Sequence, residues 1–184
     1  MAFQAAQVAT ICECIDHCFA FTIWCDDFAR YLDPEDMFDG QERAEEVVSD
    51  AVRLHSFLAL RKLDEFLSEK KAKCDDLVAG ELGIDLAIVL GKAGEKFLTT
   101  DDRNNINKGV AHLTERLTLD PDSEVDLNRV VTQSLPAMSR LVLELRKMNT
   151  DRDIVRILDR TEALVTREIG IAADIVKDPH YVRP

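Results

Sequence analysis

Residues 99–118 read TTDDRNNINKGVAHLTERLT, and this stretch decides the fold class. Thr99 followed three residues later by Asp102 has the form of a capping box, in which a hydroxyl and an acid satisfy the free amide donors of a helix start. Asp101 adds negative charge where the helix dipole is positive. On a helical wheel Ile106, Val110, Leu113 and Leu117 fall within an arc of about 60°, the apolar stripe of an amphipathic helix. Asn105, Lys108 and Arg116 lie within roughly 40° of His112 on the same wheel, with Asp101 one turn earlier and Glu115 about 60° away. An amide, two cations and an imidazole therefore share the side opposite the core stripe.

Such a face could hold a phosphate, with Lys108 and Arg116 supplying charge and His112 moving a proton. His112, Lys108 and Arg116 are accordingly the candidate catalytic residues, and Asn105, Asn107 and Lys108 the candidate ligand contacts. The competing structural reading is a solvated face whose charges pair at i, i+4 spacing, or an imidazole bonded to a neighbouring helix.

Working outward, the pattern stays helical. Residues 3–31 place Phe3, Ile11, Ile15, Cys18, Phe19, Thr22, Trp24 and Phe28 around more than half a circumference, which predicts one long helix buried on several sides. Asp33-Pro34-Glu35-Asp36 stops it and opens a short helix. Asp39 with Glu42 starts a helix running to about Lys73. Its core side is expected to hold Val47, Ala51, Leu54 and Leu58 together with Phe57, Leu60, Leu63 and Leu67. Between glycines, GIDLAIVLG (83–91) predicts a short helix plugging the end of a bundle. After a turn at Leu119-Asp120-Pro121, Ser123 with Asp126 caps a helix to about Met148, which Pro136 should kink or split. Thr150 with Asp153 starts the last helix, whose Ile154, Leu158, Thr161, Val165, Glu168, Ala172 and Ile175 keep a near-heptad rhythm, widened by Ile157, Leu164 and Ile171. The tail DPHYVRP is aperiodic and expected to be exposed. With no repeat and no linker, residues 1–184 read as a single all-α domain, an up-and-down helical bundle of about five long helices plus short helical pieces.

Composition narrows the function classes. A 46% hydrophobic content with only 6% aromatics suits a helical core. The net charge of −12 excludes duplex DNA binding through the overall field, because phosphate contacts need concentrated Lys and Arg. Charges within the first apolar run (Glu13, Asp16, His17) remove a membrane span and a secretory signal, so a cytoplasmic protein is expected. Cys12, Cys14, Cys18, Cys25 and Cys74 form no CxxC pair or zinc spacing and read as small core residues in a reducing compartment. Glu13 and His17 share a face at i, i+4 and could ligate a metal if a second helix supplied the rest, although packing is the leading reading for His17 and for His55. Phosphate loops, HExxH, GxSxG and the ExxH pairs of di-iron bundles are absent, and no cofactor is expected.

The segment INKGVAHLTER (106–116), on a helix that follows LALRKLDEFLSEKKAK (58–73), resembles HEPN-type domains. The resemblance spans roughly residues 40–148 and implies a helical bundle, commonly a homodimer, of the kind found among prokaryotic toxins and nucleotide-binding or RNA-cleaving modules. In that family an arginine precedes a histidine by four to six residues. Here His112 matches the histidine, while Lys108, Asn107 and Ile106 occupy the arginine positions and Arg103 lies nine residues before. The implied function is a non-catalytic binding and dimerisation module, related to toxin–antitoxin or phage-defence systems, with a protein or a nucleotide-like partner. An active member would be a metal-independent ribonuclease with a dimeric site around His112, Lys108 or Arg116 substituting for the arginine. A third reading is a metal- or thiol-dependent bundle using Glu13, His17 and the cysteines.

Overall fold

The computed structural model describes residues 2–24, 39–68, 77–92, 94–115 and 126–177; of residues 2–4, 39–46, 109 and 111–115 only the backbone path is described. Readings that fall elsewhere lie outside the described residues: the stop at Asp33–Asp36, the helix beyond residue 68, the Leu119–Pro121 turn, Ser123, the tail, Phe28, Cys25, Cys74, Arg116 and Leu117.

The order of elements is α1 (Ala2–Cys18), α2 (Asp39–Phe66), a 3-10 turn (Ala79–Leu82), α3 (Leu86–Leu90), α4 (Thr100–Glu115), α5 (Leu127–Met148) and α6 (Arg152–Lys177). No strand occurs among the described residues. The protein is an all-α helical bundle, as the 3.6-residue periodicity requires. α1 packs on α2, α5 and α6, α5 also on α6 and α3, and α2 on α4. Ile15, Phe19, Phe57, Leu60, Leu63, Ile106, Met138, Leu141, Leu145 and Leu158 are fully buried in one contiguous core. Among the described residues no helix is long and apolar enough to cross a membrane.

The antiparallel seam of α1 and α2 corrects the expectation of one helix over residues 3–31. Ser56, fully buried, donates to the His17 carbonyl at 3.0 Å and accepts from the Phe21 amide at 3.2 Å. Those two backbone groups are helical partners four residues apart, so the hydroxyl stands where one rung of the ladder would be. α1 therefore ends at Cys18, Phe19 lies in a turn, and helix resumes over 20–24 with Ile23 N–H bonding the Phe19 carbonyl at 2.9 Å.

α2 brings a second correction. Phe57, Ala59, Leu60, Leu63, Phe66 and Leu67 are buried, but Val47 is 64% exposed and Leu58 36%, with Ala51 also exposed and Leu54 half-buried. α2 packs chiefly on α1 and α4, and these cover only one of its two apolar stripes.

The remaining helices start close to where the sequence places them. Asp126 caps α5 by accepting from Arg129 N–H at 2.9 Å. Asp151, not Thr150, caps α6, accepting from the Asp153 and Ile154 amides at 2.9 and 3.3 Å. Pro136 does not split α5: its ring and Thr132, whose carbonyl loses a partner, both face solvent. The GIDLAIVLG segment forms α3, capped by Asp85 and closed at Gly91, whose φ of 95° suits glycine. Arg140 of α5 donates from Nε to the Val89 carbonyl at 2.7 Å, fastening α3 to the bundle. Arg146 of α5 pairs with Asp159 and Glu162 across the α5–α6 seam.

Replacing Ser56 by Ala leaves two part-buried backbone groups without this partner. A loss of roughly 1–3 kcal/mol is expected, read as a lower urea midpoint at unchanged slope; an unchanged midpoint means that α1 recloses its own ladder.

Candidate functional site

α4 is held at its start by two adjacent residues. The Thr99 hydroxyl accepts from Asp102 N–H at 3.1 Å and donates to Asp102 Oδ2 at 2.6 Å, so the N-cap half of the box forms while the acid takes the hydroxyl proton in place of a backbone amide. Asp102 is only 4% exposed, and its Oδ1 accepts from Arg129 Nη2 of α5 at 2.5 Å. Arg129 also donates from Nη1 to Gln133 at 2.9 Å. One residue on, Arg103 turns to α2. Its Nη2 donates to Asp64 Oδ1 at 2.8 Å, and its Nε lies 2.5 Å from Oδ2. Asp64, buried in the α2 core face, further accepts from Leu98 N–H at 3.2 Å.

Burial pushes the Asp102 carboxyl up, but hydrogen bonds from Arg129 and Thr99 and the charge of Arg129 outweigh it and hold the group below the usual carboxylate range. Such an acid stays ionised and is a poor proton acceptor. The two ion pairs line cavities on either side of the 94–99 loop. One, of 240 Å³, touches Asp64, Arg103, Leu86 and Phe97; the other, of 700 Å³, runs between the start of α4 and α5 and reaches Asp102, Gln133 and Arg140. Asp64, Arg103, Asp102 and Arg140 are committed to helix–helix bonds, while the exposed Glu95 and Lys96 of the loop line both cavities.

The residues singled out in the sequence lie further along α4. Asn105, Asn107 and Lys108 are exposed, and Ile106 between them is buried, which puts Asn105 and Lys108 together on the solvent side. His112 belongs to α4, but its side chain, like all of Arg116, lies outside the described residues.

The structure adds a pair that sequence reasoning missed. His17 and His55 are not core residues: the His17 side chain is 37% exposed, His55 is exposed, and their ring centroids lie 4.2 Å apart across the α1–α2 seam. Glu13 Oε1 is 3.9 Å from His17 Nε2. No group of three or more His, Cys, Asp or Glu side chains placed to hold a metal occurs among the described residues. Of the thiols, Cys12 and Cys18 are buried and Cys14 is half-buried. Burial pushes Cys12 up to about 11 and raises Cys18 well above the ordinary thiol range, and Cys18 Sγ donates to the Cys14 carbonyl at 3.2 Å. Thiols held protonated in this way are weak nucleophiles.

No family model, no curated protein and no solved structure matches this chain.

Two outcomes are expected. Because the Asp102 carboxyl is depressed in the folded state, its stabilisation is complete above the unfolded value of about 3.9 and is lost as pH falls through the folded value. Asp102→Asn should cost roughly 1.5–3 kcal/mol near neutral pH, and the gap to wild type should close as the medium is acidified; a pH-independent gap in urea melts refutes the linkage. Asp16, raised mainly by burial, has the opposite sign and is common to both proteins. In native alkylation mapped by mass spectrometry, Cys12 and Cys18 should label only after unfolding; labelling as fast as a free thiol contradicts their burial.

Proposed function

We propose that the protein is a non-catalytic helical binding module of HEPN-like type that acts as a homodimer. The observation that carries this reading is the unburied stripe on α2. Val47, Ala51, Leu54 and Leu58 recur at helical spacing, and Val47 and Leu58 remain 64% and 36% exposed. Val48 at 45% widens the patch. A stripe of this kind is self-complementary. Laid antiparallel on a second copy about a two-fold between residues 52 and 53, Val47 meets Leu58, and the small Ala51 lies beside Leu54. The commitment of Asp102 to structural bonding, together with the raised thiols, supports binding rather than catalysis. The partner-facing surface is the exposed side of α4 with Asn105 and Lys108, suited to a protein or a nucleotide-like ligand.

Multi-angle light scattering at micromolar concentration should give the mass of a dimer, and Val47→Asp with Ala51→Asp should give a monomer of unchanged helical circular dichroism. A wild-type monomer overturns the reading.

A second reading keeps the same face of α4 and makes it a metal-independent ribonuclease, favoured by the exposure of Asn105 and Lys108 on one side. It requires RNA cleavage by wild type that falls at least a hundredfold in His112→Ala, on the scale of a lost general acid–base group. The binding-module reading expects no cleavage by either protein.

A further inference from the structure

Glu13 and His17 share one face of α1, and a metal site there needs a ligand from a second helix. α2 brings one. The His55 ring lies 4.2 Å from that of His17, centroid to centroid, with 60° between the ring planes. We propose that His17 and His55 form a two-imidazole site for a divalent transition-metal ion, of which Zn²⁺ and Ni²⁺ are representative, that clips α1 to α2.

Three features support it. The first is spacing: imidazoles sharing a tetrahedral Zn²⁺ at about 2.0–2.1 Å per nitrogen have ring centroids roughly 5.2 Å apart, so side-chain rotation that opens the rings by about 1 Å brings them to that separation. The second is a rigid base. Ser56, next in sequence to His55, bonds the carbonyl of His17 itself, so the two backbones are pinned directly beneath the rings. The third is access. Both side chains reach solvent, from which water would complete the shell. Glu13, 66% exposed, lies 3.9 Å from His17 Nε2, outside direct hydrogen-bond range. Imidazole donors select the zinc–nickel–copper group over magnesium or calcium.

The test is titration of the full chain with ZnCl₂ by calorimetry in a non-chelating buffer at neutral pH. One ion per chain and a raised melting temperature are expected, with His17→Asn and His55→Asn each weakening binding at least tenfold and Glu13→Gln less. No binding by wild type, or unchanged binding in His55→Asn, overturns the proposal. Because His17 adjoins the Ser56 bond and its variant can lose the fold, Cu²⁺ bound to wild type gives an independent reading. Its electron paramagnetic resonance spectrum should show coupling to two imidazole nitrogens, and coupling to one or none overturns the site.

Discussion

A carboxylate sealed inside a helical core must be neutralised where it lies, and two aspartates impose that demand here. Asp64 meets Arg103, and Asp102 meets Arg129. Since consecutive helical residues project about 100° apart, Asp102 and Arg103 can tie one helix start to two different neighbours. Among the described residues of α4, Ile106 is fully buried and Val110 partly covered. Replacing a buried ion pair by hydrophobic groups often costs nothing in stability, so the pairs are best understood as setting register. They fix which side of α4 faces water, and with it the placement of Asn105 and Lys108.

What was legible in the sequence is what depends on neighbours along the chain. The Thr99 cap, the glycine-bounded α3 and the Ile154–Leu158–Thr161–Val165–Glu168 seam of α6 are local patterns, and each appears in the fold, although Ile157 and Ile175, read into the same seam, are 38% and 40% exposed. Asp151 in place of Thr150 is a slip of one residue, since either can supply the capping oxygen. The misreadings come from tertiary contacts. Nothing near residue 19 foretells a break, because the cause is a serine in α2, thirty-five residues beyond Phe21. Nor does periodicity say which of two apolar stripes a neighbour will cover, which is why Val47 and Leu58 were assigned to the core. One signal was readable: Asp64 stands inside the Leu60–Leu63–Leu67 stripe, and an acid there requires a cation from elsewhere.

The candidate site was legible to a similar degree. Helical spacing sufficed to put Asn105 and Lys108 on one solvent-facing side. It could not indicate that Asp102 and Arg103, equally polar and on the same helix, are consumed by the fold. Polar residues of one element divide into structural and available ones only when the partners on other elements are known, and Arg129 and Asp64 are distant in sequence. His17 and His55 illustrate the converse. Each alone looked like a packing residue, and only the antiparallel seam makes them a pair.

α2 thus carries three separate tasks on one cylinder. Phe57, Leu60 and Leu63 face the core, Val47, Ala51 and Leu58 form the open stripe, and His55 sits at the border of that stripe on the side of α1. Ala51, Leu54, His55 and Leu58 stand at i, i+3, i+4 and i+7, so any second copy laid over the stripe comes close to the imidazole pair. Where the chains pair over this stripe and the histidines take an ion, as proposed, the two equilibria are coupled. By linkage, whatever change an ion makes in the affinity of one copy for the other, dimer formation makes equally in the affinity for the ion. The sign depends on what the second copy brings to the ion: a further donor strengthens both, whereas an apolar cover that strips water from a two-ligand shell weakens both.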